Sequence, residues 1–557
     1  MIPFLPFEII DLISHHLSSK EFYSLILVNH AFHNAFIPCL YNTIKLCDSQ
    51  ALKGLLASTQ HHLHVRHFAI RHTRLQDNEL KAIQSSFPLL LSIDLYQLYD
   101  LNARQFYSSF QHLHSLTLHA VINEASLLNC ISTIPRLNKL HVHRSSGIQV
   151  TFDLVEQMHR LCHSLEDVCI GGISAESSGG LDYDTIIPAT TLKRLEVRAY
   201  QGMDEHHAWF VYVAHKYPNL ISLKMGDYAV YGHNRHGKHA SCFTCPIDFY
   251  SWFLDRCPYL TRLEWYNMVP DLTLFLSMKQ HQRQLDKLVV TDGRLISQLQ
   301  TDCLSMVTCL SIALDHPMPC NEAIQAIGRA CPSLQNLRLV YSQSLLEINT
   351  LLDCFPHLRL LELEQMKVYA KRQPYQVLSR HPLRKLVLNE CSLDDHVFLY
   401  IGLRCTDLAY LAMNPLDFFK SSIHFDVSLP QQALHCIDLH CIVYHRDVKK
   451  NCHARLLHVQ RQSESVWLLA NSLQKASHDA YRLAGPFVQL DNRDVELINT
   501  LKLQGHCFWE TFDASVLDAS SLLETKDLQA VLDGEYFKYT CKSIDAFYIN
   551  KDRVILD

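Results

Sequence analysis

Apolar residues recur along most of this chain in the phrase L-x-x-L-x-L. It reads VRHFAI (65–70), LLSIDL (90–95), LHSLTL (113–118), LNKLHV (137–142), LEDVCI (165–170), LKRLEV (192–197) and LISLKM (220–225). It continues as LTRLEW (260–265), LDKLVV (285–290), VTCLSI (307–312), LQNLRL (334–339), LRLLEL (358–363), LRKLVL (383–388), LAYLAM (408–413) and LHCIDL (434–439), with INTLKL (498–503) and IDAFYI (544–549) as later candidates. Alternate apolar positions predict a short strand with one buried face. The segments between are helix-compatible: in CNEAIQAIGRACPSL (320–334), Ala323, Ile324, Ile327 and Cys331 fall on one side. Proline at 135, 218, 258, 332 and 356, just ahead of the next strand, stops each helix.

Successive phrases start mostly 22 to 28 residues apart, a period that matches leucine-rich repeats. One strand and one helix per repeat predict an α/β solenoid of about fifteen repeats, with parallel strands inside and helices outside. The asparagine or cysteine that such repeats carry three residues past the last apolar position is mostly missing, with Cys391 the exception. Two intervals stretch. One holds GDYAVYGHNRHGKHASCFTCP (226–246); the other, between 437 and 501, fits a degenerate repeat plus an insertion around VWLL (466–469).

Residues 5–46 lack the phrase. Pro6 can open a helix, and Ile9, Ile10, Ile13 and Leu17 then follow at spacings of three and four, one helical stripe. Ser19 is placed to cap a second helix holding Phe22, Leu25, Ile26 and Val28, and Phe32, Phe36 and Tyr41 sit in a third segment. So short a unit cannot bury a full core alone, and an apolar face left over marks a binding site. The order Leu5-Pro6-x-Glu8-Ile9-Ile10, then Ile13, Leu17-Ser18, Glu21-Phe22, Val28 and Phe32, then Leu40-Tyr41-x-x-Ile44, resembles the F-box. Phe32 and Tyr41 stand where that family more often has tryptophan. The resemblance implies binding of the Skp-type adaptor of a cullin–RING ubiquitin ligase through Leu5, Pro6, Ile9, Ile13, Leu17, Val28, Phe32 and Tyr41. It also implies that the repeats behind capture a target protein for ubiquitination. The expected layout is an F-box at 1–46, a linker or cap at 47–62, the solenoid at 63–450, and degenerate repeats with a cap at 451–557.

Composition narrows the picture. Of 557 residues, 19% are charged and 48% hydrophobic, as in a folded soluble protein. A formal charge of −6 gives no reason to expect nucleic acid or an anionic membrane as partner. No stretch has the roughly 18 consecutive apolar residues of a membrane span, and Glu8 and Asp11 interrupt the apolar N-terminus, unlike a secretory signal. Twenty cysteines without such a signal point to a reducing compartment, cytosol or nucleus. Several precede the repeat phrase (Cys257, Cys331, Cys405) and read as small packing residues.

Chemistry is sparse, and a non-catalytic protein without cofactor is expected. HRDVKKN (445–451) is similar to a kinase catalytic loop, but its asparagine comes one residue early and no glycine-rich loop precedes it. His233, His236, His239, Cys242 and Cys245 carry zinc-type donors, yet the spacing is not that of paired ligand couples across a longer loop; no metal is expected. The positions between the strands' apolar residues face outward, on the surface expected to be concave. From the fourth to the ninth repeat they place there Lys139, His141, His143, Arg194, Arg198, Lys224, Arg262 and Lys287, against Asp167, Glu196 and Glu264. That excess of cations suits a target with an acidic or phosphorylated segment; the competing expectation is a solvated face of local ion pairs. The alternative to a ligase subunit is a scaffold that uses the front unit only for assembly.

Overall fold

A computed structural model describes residues 6–14, 17, 19–70, 75, 77–95, 110, 112–119, 123–143, 150–173, 186–199, 207–227, 247–266, 272–291, 293–300, 302–314, 318–341, 345–371, 379–394, 396–414, 417–418, 424–439, 443–445, 456–461, 464–477, 480–489, 536–545, 547–549 and 552–554. The chain forms two compact units, Met1–Ser277 and Met278–Asp557. The division falls inside the stretch 63–450 expected to be one solenoid.

The first unit opens with three helices, α1 (Phe7–Ser14), α2 (Ser19–Ile26) and α3 (His30–Asn42). Pro6 stands just ahead of α1, its carbonyl accepting from the N–H groups of Ile9 and Ile10. α2 stops at Ile26, so Val28, expected inside it, lies in the turn beyond. The cap that starts the next helix is Asn29, whose side-chain oxygen accepts from the N–H of Ala31 and Phe32 at 3.0 Å.

Strands β1 (Thr43–Leu46), β2 (His67–Ile70), β3 (Ser92–Leu95), β4 (Ser115–Leu118), β5 (Lys139–Val142), β6 (Asp167–Ile173), β7 (Arg194–Ala199), β8 (Ser222–Asp227) and β9 (Arg262–Tyr266) pair in parallel, each with the next. Every L-x-x-L-x-L phrase of this unit becomes a strand with its three apolar positions buried. The backbone repeats as regularly. The carbonyl of Arg66 accepts from both Leu91 (2.7 Å) and Ser92 (3.0 Å); that of Leu91 accepts from His114 and Ser115, and that of Lys193 from Ile221 and Ser222. Helices join the strands, and side-chain oxygens of Asp48, Asn123 and Thr151 cap three of them three residues in.

β1 corrects the expected layout. Thr43–Leu46 pairs with β2, and α4 (Ser49–Ala57) with a 3₁₀ turn at Thr59–His64 follows it. The end of the expected front unit, residues 43–46, is thus a repeat strand, and the segment 47–62, expected to be a linker or cap, supplies the helical part of that end repeat. Tyr41-x-x-Ile44-x-Leu46 is the phrase with an aromatic first position.

The helix side carries a buried polar cluster. Lys216, 3% exposed at its side chain, donates to Glu156 at 2.7 Å. Tyr212 donates to the other carboxylate oxygen at 2.8 Å, and His159 meets the Tyr217 hydroxyl at 3.0 Å. Each buried charge has a partner, the condition under which burial is tolerated.

In the second unit, β10 (Lys287–Val290), β11 (Cys309–Ala313), β12 (Asn336–Val340), β14 (Leu360–Glu364), β16 (Lys385–Asn389), β18 (Tyr410–Met413) and β21 (Cys436–Leu439) form the same parallel ladder. Short strands β13 (Leu345–Glu347), β15 (Lys367–Tyr369), β17 (Ser392–Leu393) and β19 (Asp417–Phe418) add a second parallel sheet that the repeat pattern did not reveal. Cys391 is buried, and its thiol reaches the Leu363 carbonyl at 3.3 Å.

Beyond β18 the expected alternation breaks. β20 (His424–Leu434) takes the place where a helix is expected. Gln432 on it is fully buried and donates to the carbonyls of Gly402, in the helix His396–Arg404, and of Cys405 just after it. A third sheet runs in the order β20, β26 (Tyr536–Ile544), β23 (Leu456–Arg461), β24 (Glu464–Ser477), β25 (Ala480–Gln489), β22 (Val443–His445). VWLL therefore lies in a long antiparallel ladder of β24 with β23 and β25, and the expected degenerate repeat around it is not there. The phrase at 544–549 does give a repeat strand: β27 (Phe547–Ile549) adds in parallel to β21, and β28 (Asp552–Val554) turns back antiparallel on β27. INTLKL (498–503) lies outside the described residues.

Gly402 makes the β20 packing possible. A Cβ there meets the Ser428 carbonyl oxygen at 2.7 Å, whereas one on Gly54 in α4 meets nothing within 4 Å. Gly402→Ala is expected to destabilise the protein by about 1–3 kcal/mol through overpacking. Gly54→Ala, in open space within a helix, is expected to stabilise by roughly 0.5–1 kcal/mol. Denaturant unfolding of the two variants checks both signs.

Candidate functional site

Two surfaces of the first unit carry the sequence-derived candidates. On the front helices, Ile10, Phe36 and Ile37 form the buried centre, and the rings of Phe22 and Phe32 lie 6.3 and 6.1 Å from that of Phe36. Phe32 thus packs within the helices. Tyr41 stacks on His61 at 4.4 Å, tying α3 to the first repeat rather than framing an open face. Ile13 and Leu17 are half-buried and Pro6 is exposed; Leu5 lies outside the described residues. Ile9 and Val28 are 41% and 59% exposed, and with them stand three residues the helical stripe did not single out: Leu12 (59%), Tyr23 (59%) and Leu27 (81%). Five large apolar side chains open to solvent within twenty residues contrast with the fully buried repeat positions behind them.

The second surface is the outward face of the strands. Leucines on alternate positions turn inward, so residues between them align from one repeat to the next. Register puts Asp167 beside Arg194, Glu196 beside Lys224, and Lys224 beside Glu264. Arg194 meets Asp167 at 3.0 Å. Arg198 donates to Glu196 at 2.5 Å, and Lys224 stands 3.3 Å from Glu196 and 3.9 Å from Glu264. Tyr266 donates to Glu264 at 2.9 Å, and Lys224 sits over its ring at 5.0 Å. The expected cations and acids therefore interlock into ion pairs. Arg262 is exposed, Lys139 half-buried, and Lys287 belongs to the second unit.

The same face holds an imidazole cluster only partly foreseen. His141 bonds Asp167 at 3.0 Å through Nε2, and His119 bonds Asp94 at 2.8 Å through its own Nε2. The His119 and His143 rings stack at 4.8 Å, and His141 meets His143 edge-on at 5.8 Å. Asp94 and His119 lie in repeats preceding the stretch read for charge, although their outward register was visible.

Electrostatics follow from burial and neighbours. Burial, then the charge of Arg198 and the other two imidazoles, pushes His143 down to about 4. Burial also pushes the Cys169 thiol up to about 12, so it is a thiol and not a nucleophilic thiolate. For Glu196, burial works to raise the carboxyl, but hydrogen bonds and charges from Arg198 and Lys224 outweigh it and hold it below the ordinary range. Asp167 is held low in the same way, burial being outweighed by His141, Arg194 and Lys139.

Among the described residues no three His, Cys, Asp or Glu side chains are arranged to hold a metal. Among them also no helix is long and apolar enough to cross a membrane. The run His233 to Cys245 and all of HRDVKKN after His445 lie outside the described residues.

No protein-family model matches this chain, and no curated protein matches it. Among solved structures, one described as "Crystal structure of TLR13-ssRNA13 complex" aligns with 72% of this chain and 69% of that chain, at 13% identity and a TM-score of 0.33. The chain is a leucine-rich-repeat α/β solenoid. That statement rests on the strand ladders and buried repeat positions described above.

Glu196 gives the electrostatic test. Its folded carboxyl is depressed, so its stabilisation is present above the unfolded value near 4.5 and is lost as pH falls through the lower folded value. Glu196→Gln is expected to destabilise at neutral pH by about 1–3 kcal/mol, the scale of hydrogen bonds to a charged group. The difference from wild type should shrink as pH drops below that point. Urea unfolding across the acidic range measures it.

Proposed function

We propose that this protein is the substrate-recognition subunit of a cullin–RING ubiquitin ligase of the Skp–cullin–F-box type. The three front helices dock a Skp-type adaptor, and the strand face holds a target protein. The observation that carries this reading is the exposure of Ile9, Leu12, Tyr23, Leu27 and Val28 on α1, α2 and the turn after α2, within a segment whose residue order resembles the F-box. Large apolar side chains left in water are stabilised when a partner covers them. The role is non-catalytic. Holding a target beside activated ubiquitin raises its effective concentration there and needs no nucleophile on this chain.

The outermost side chains make the cleanest test. Leu27→Asp with Val28→Asp changes two exposed residues, so folding should be retained, as thermal unfolding can verify. Truncation is less clean, because deletion of 1–46 also removes the edge strand β1. If these residues sit at the centre of the interface, adaptor affinity should drop by at least about 30-fold, the roughly 2 kcal/mol of an interface hot spot. Purified adaptor and cullin should co-elute with the wild type and not with the variant. Equal capture of adaptor by both proteins refutes the docking site. Capture of adaptor without cullin points to the assembly scaffold instead.

A further inference from the structure

The outward residues of the strands fall into rows that cross the sheet, and the rows differ in charge. The row nearest the strands' N-terminal ends runs Lys139, Asp167, Arg194, Ser222, Arg262 from β5 to β9, each in register with the next. It holds three cations against one carboxylate. The row two residues further along runs His141, Cys169, Glu196, Lys224, Glu264. There two carboxylates share Lys224, at 3.3 and 3.9 Å, and Arg198 engages Glu196 from beyond. The surplus of positive charge is thus concentrated in the N-terminal row.

Within that row the cations differ. Nε and Nη2 of Arg194 each lie 3.0 Å from Oδ2 of Asp167, so this guanidinium is held toward β6 and keeps Nη1 for another acceptor. Arg262 is exposed, and among the described residues no carboxylate pairs with it. Between the two arginines the surface is uncharged. Ser222 lies in register with both, and Ile221 beside it is 38% exposed. Tyr259, 60% exposed, stands two residues before Thr261, whose N–H donates to the Ile221 carbonyl at 3.0 Å. The charges next to Arg194 on the N-terminal side cancel, Lys193 meeting Glu166 at 3.0 Å.

Spacing selects the occupant. Arg194 and Arg262 start two strands apart, about 9.5 Å at ordinary sheet spacing, and Asp167 draws Arg194 to the side away from Arg262. The two guanidinium groups therefore do not converge on one ligand. A phosphoryl group is held by clustered arginines, whereas a lone guanidinium matches a single carboxylate. We propose that the N-terminal row binds an unphosphorylated acidic segment of the target protein. One carboxylate sits at Arg194 and one at Arg262, with an apolar residue between them against Ile221 and Tyr259. This inference rests on the reading that the strand face receives the target, and it is independent of adaptor docking.

The test is fluorescence anisotropy of the full-length protein with a labelled peptide of Glu-Leu-Pro repeats. In a polyproline II chain every third residue returns to the same side after about 9.3 Å, close to the separation of the arginines. Saturable binding that weakens as salt rises is expected, and a Gln-Leu-Pro peptide should bind at least about tenfold more weakly, having no charge to offer. Arg262→Glu should weaken the glutamate peptide by at least about tenfold by setting like charges opposite each other. Ile221→Ser should weaken it by about threefold or more through lost apolar contact. Both variants change exposed side chains, so melting temperature and adaptor capture should match the wild type. A phosphothreonine peptide of the same spacing should bind less than about tenfold tighter than the glutamate peptide, one step of 1.4 kcal/mol; a larger gain assigns the row to phosphoryl groups and overturns the proposal. So does absence of saturable binding, equal binding of the glutamine peptide, or wild-type affinity in either variant. Should Arg262→Glu lower the melting temperature, Ile221→Ser and the glutamine peptide still decide. Adaptor capture that stays intact while peptide binding fails overturns this inference alone and leaves the ligase reading standing.

Discussion

One backbone contact governs the rest of each unit. The carbonyl at the second position of a repeat phrase accepts two N–H groups from the next repeat, as Arg66 does from Leu91 and Ser92 and as Arg359 does from Arg384 and Lys385. That pair holds neighbouring strands in parallel register at the fixed spacing of a sheet. With register held, the leucines of successive repeats stack directly: Leu195 on Leu223 and Leu223 on Leu263 in the first unit, Leu337 on Leu361 and Leu361 on Leu386 in the second. Each such residue contributes about 1.5–3 kcal/mol from burial, and no repeat can collect that alone. Stability comes from stacking.

The same register makes the outward face a lattice of chosen neighbours. A residue 26 to 28 positions away in sequence becomes the partner beside it, which is how Asp167 meets both His141 and Arg194 and how Glu196 meets Lys224. Paired in this way, partly buried carboxylates stay ionised although burial works against them. A basic surplus counted along the sequence is thereby largely neutralised.

The front helices obey a different constraint. Their small centre of Ile10, Phe36 and Ile37 leaves large apolar side chains in water, while Tyr41 stacked on His61 anchors the last helix to the first repeat. A solenoid end exposes an unpaired strand edge and an open core. β1 with α4 and the helices before it cover one such place, and the β27–β28 hairpin is the structure that follows β21. The helices are thus both a cover for the repeats and, among the described residues, a place where five large apolar side chains stand exposed close together.

The strands, their inward residues and the parallel register were legible in the sequence, because burial with period two is a local property that repeats without reference to the rest of the chain. The three front helices were legible for the same reason, from spacings of three and four. The first repeat went unrecognised because Tyr41 stands where a leucine is usual, and only its pairing with β2 exposes it. The strands on either side of β21, β20 and β22 to β25, resisted because apolar strands of a separate mixed sheet look, one at a time, like degenerate repeats; Gln432 reaching Gly402 and Cys405 is a contact between distant segments. Leu12, Tyr23 and Leu27 were missed because exposure depends on what packs nearby, and nothing in a helical stripe says which face finds no neighbour. Sequence alone determined which residues face inward and which outward. Tertiary structure decided which outward residues meet, because ion pairs and imidazole stacks form between repeats whose separation in sequence carries no record of their contact in space.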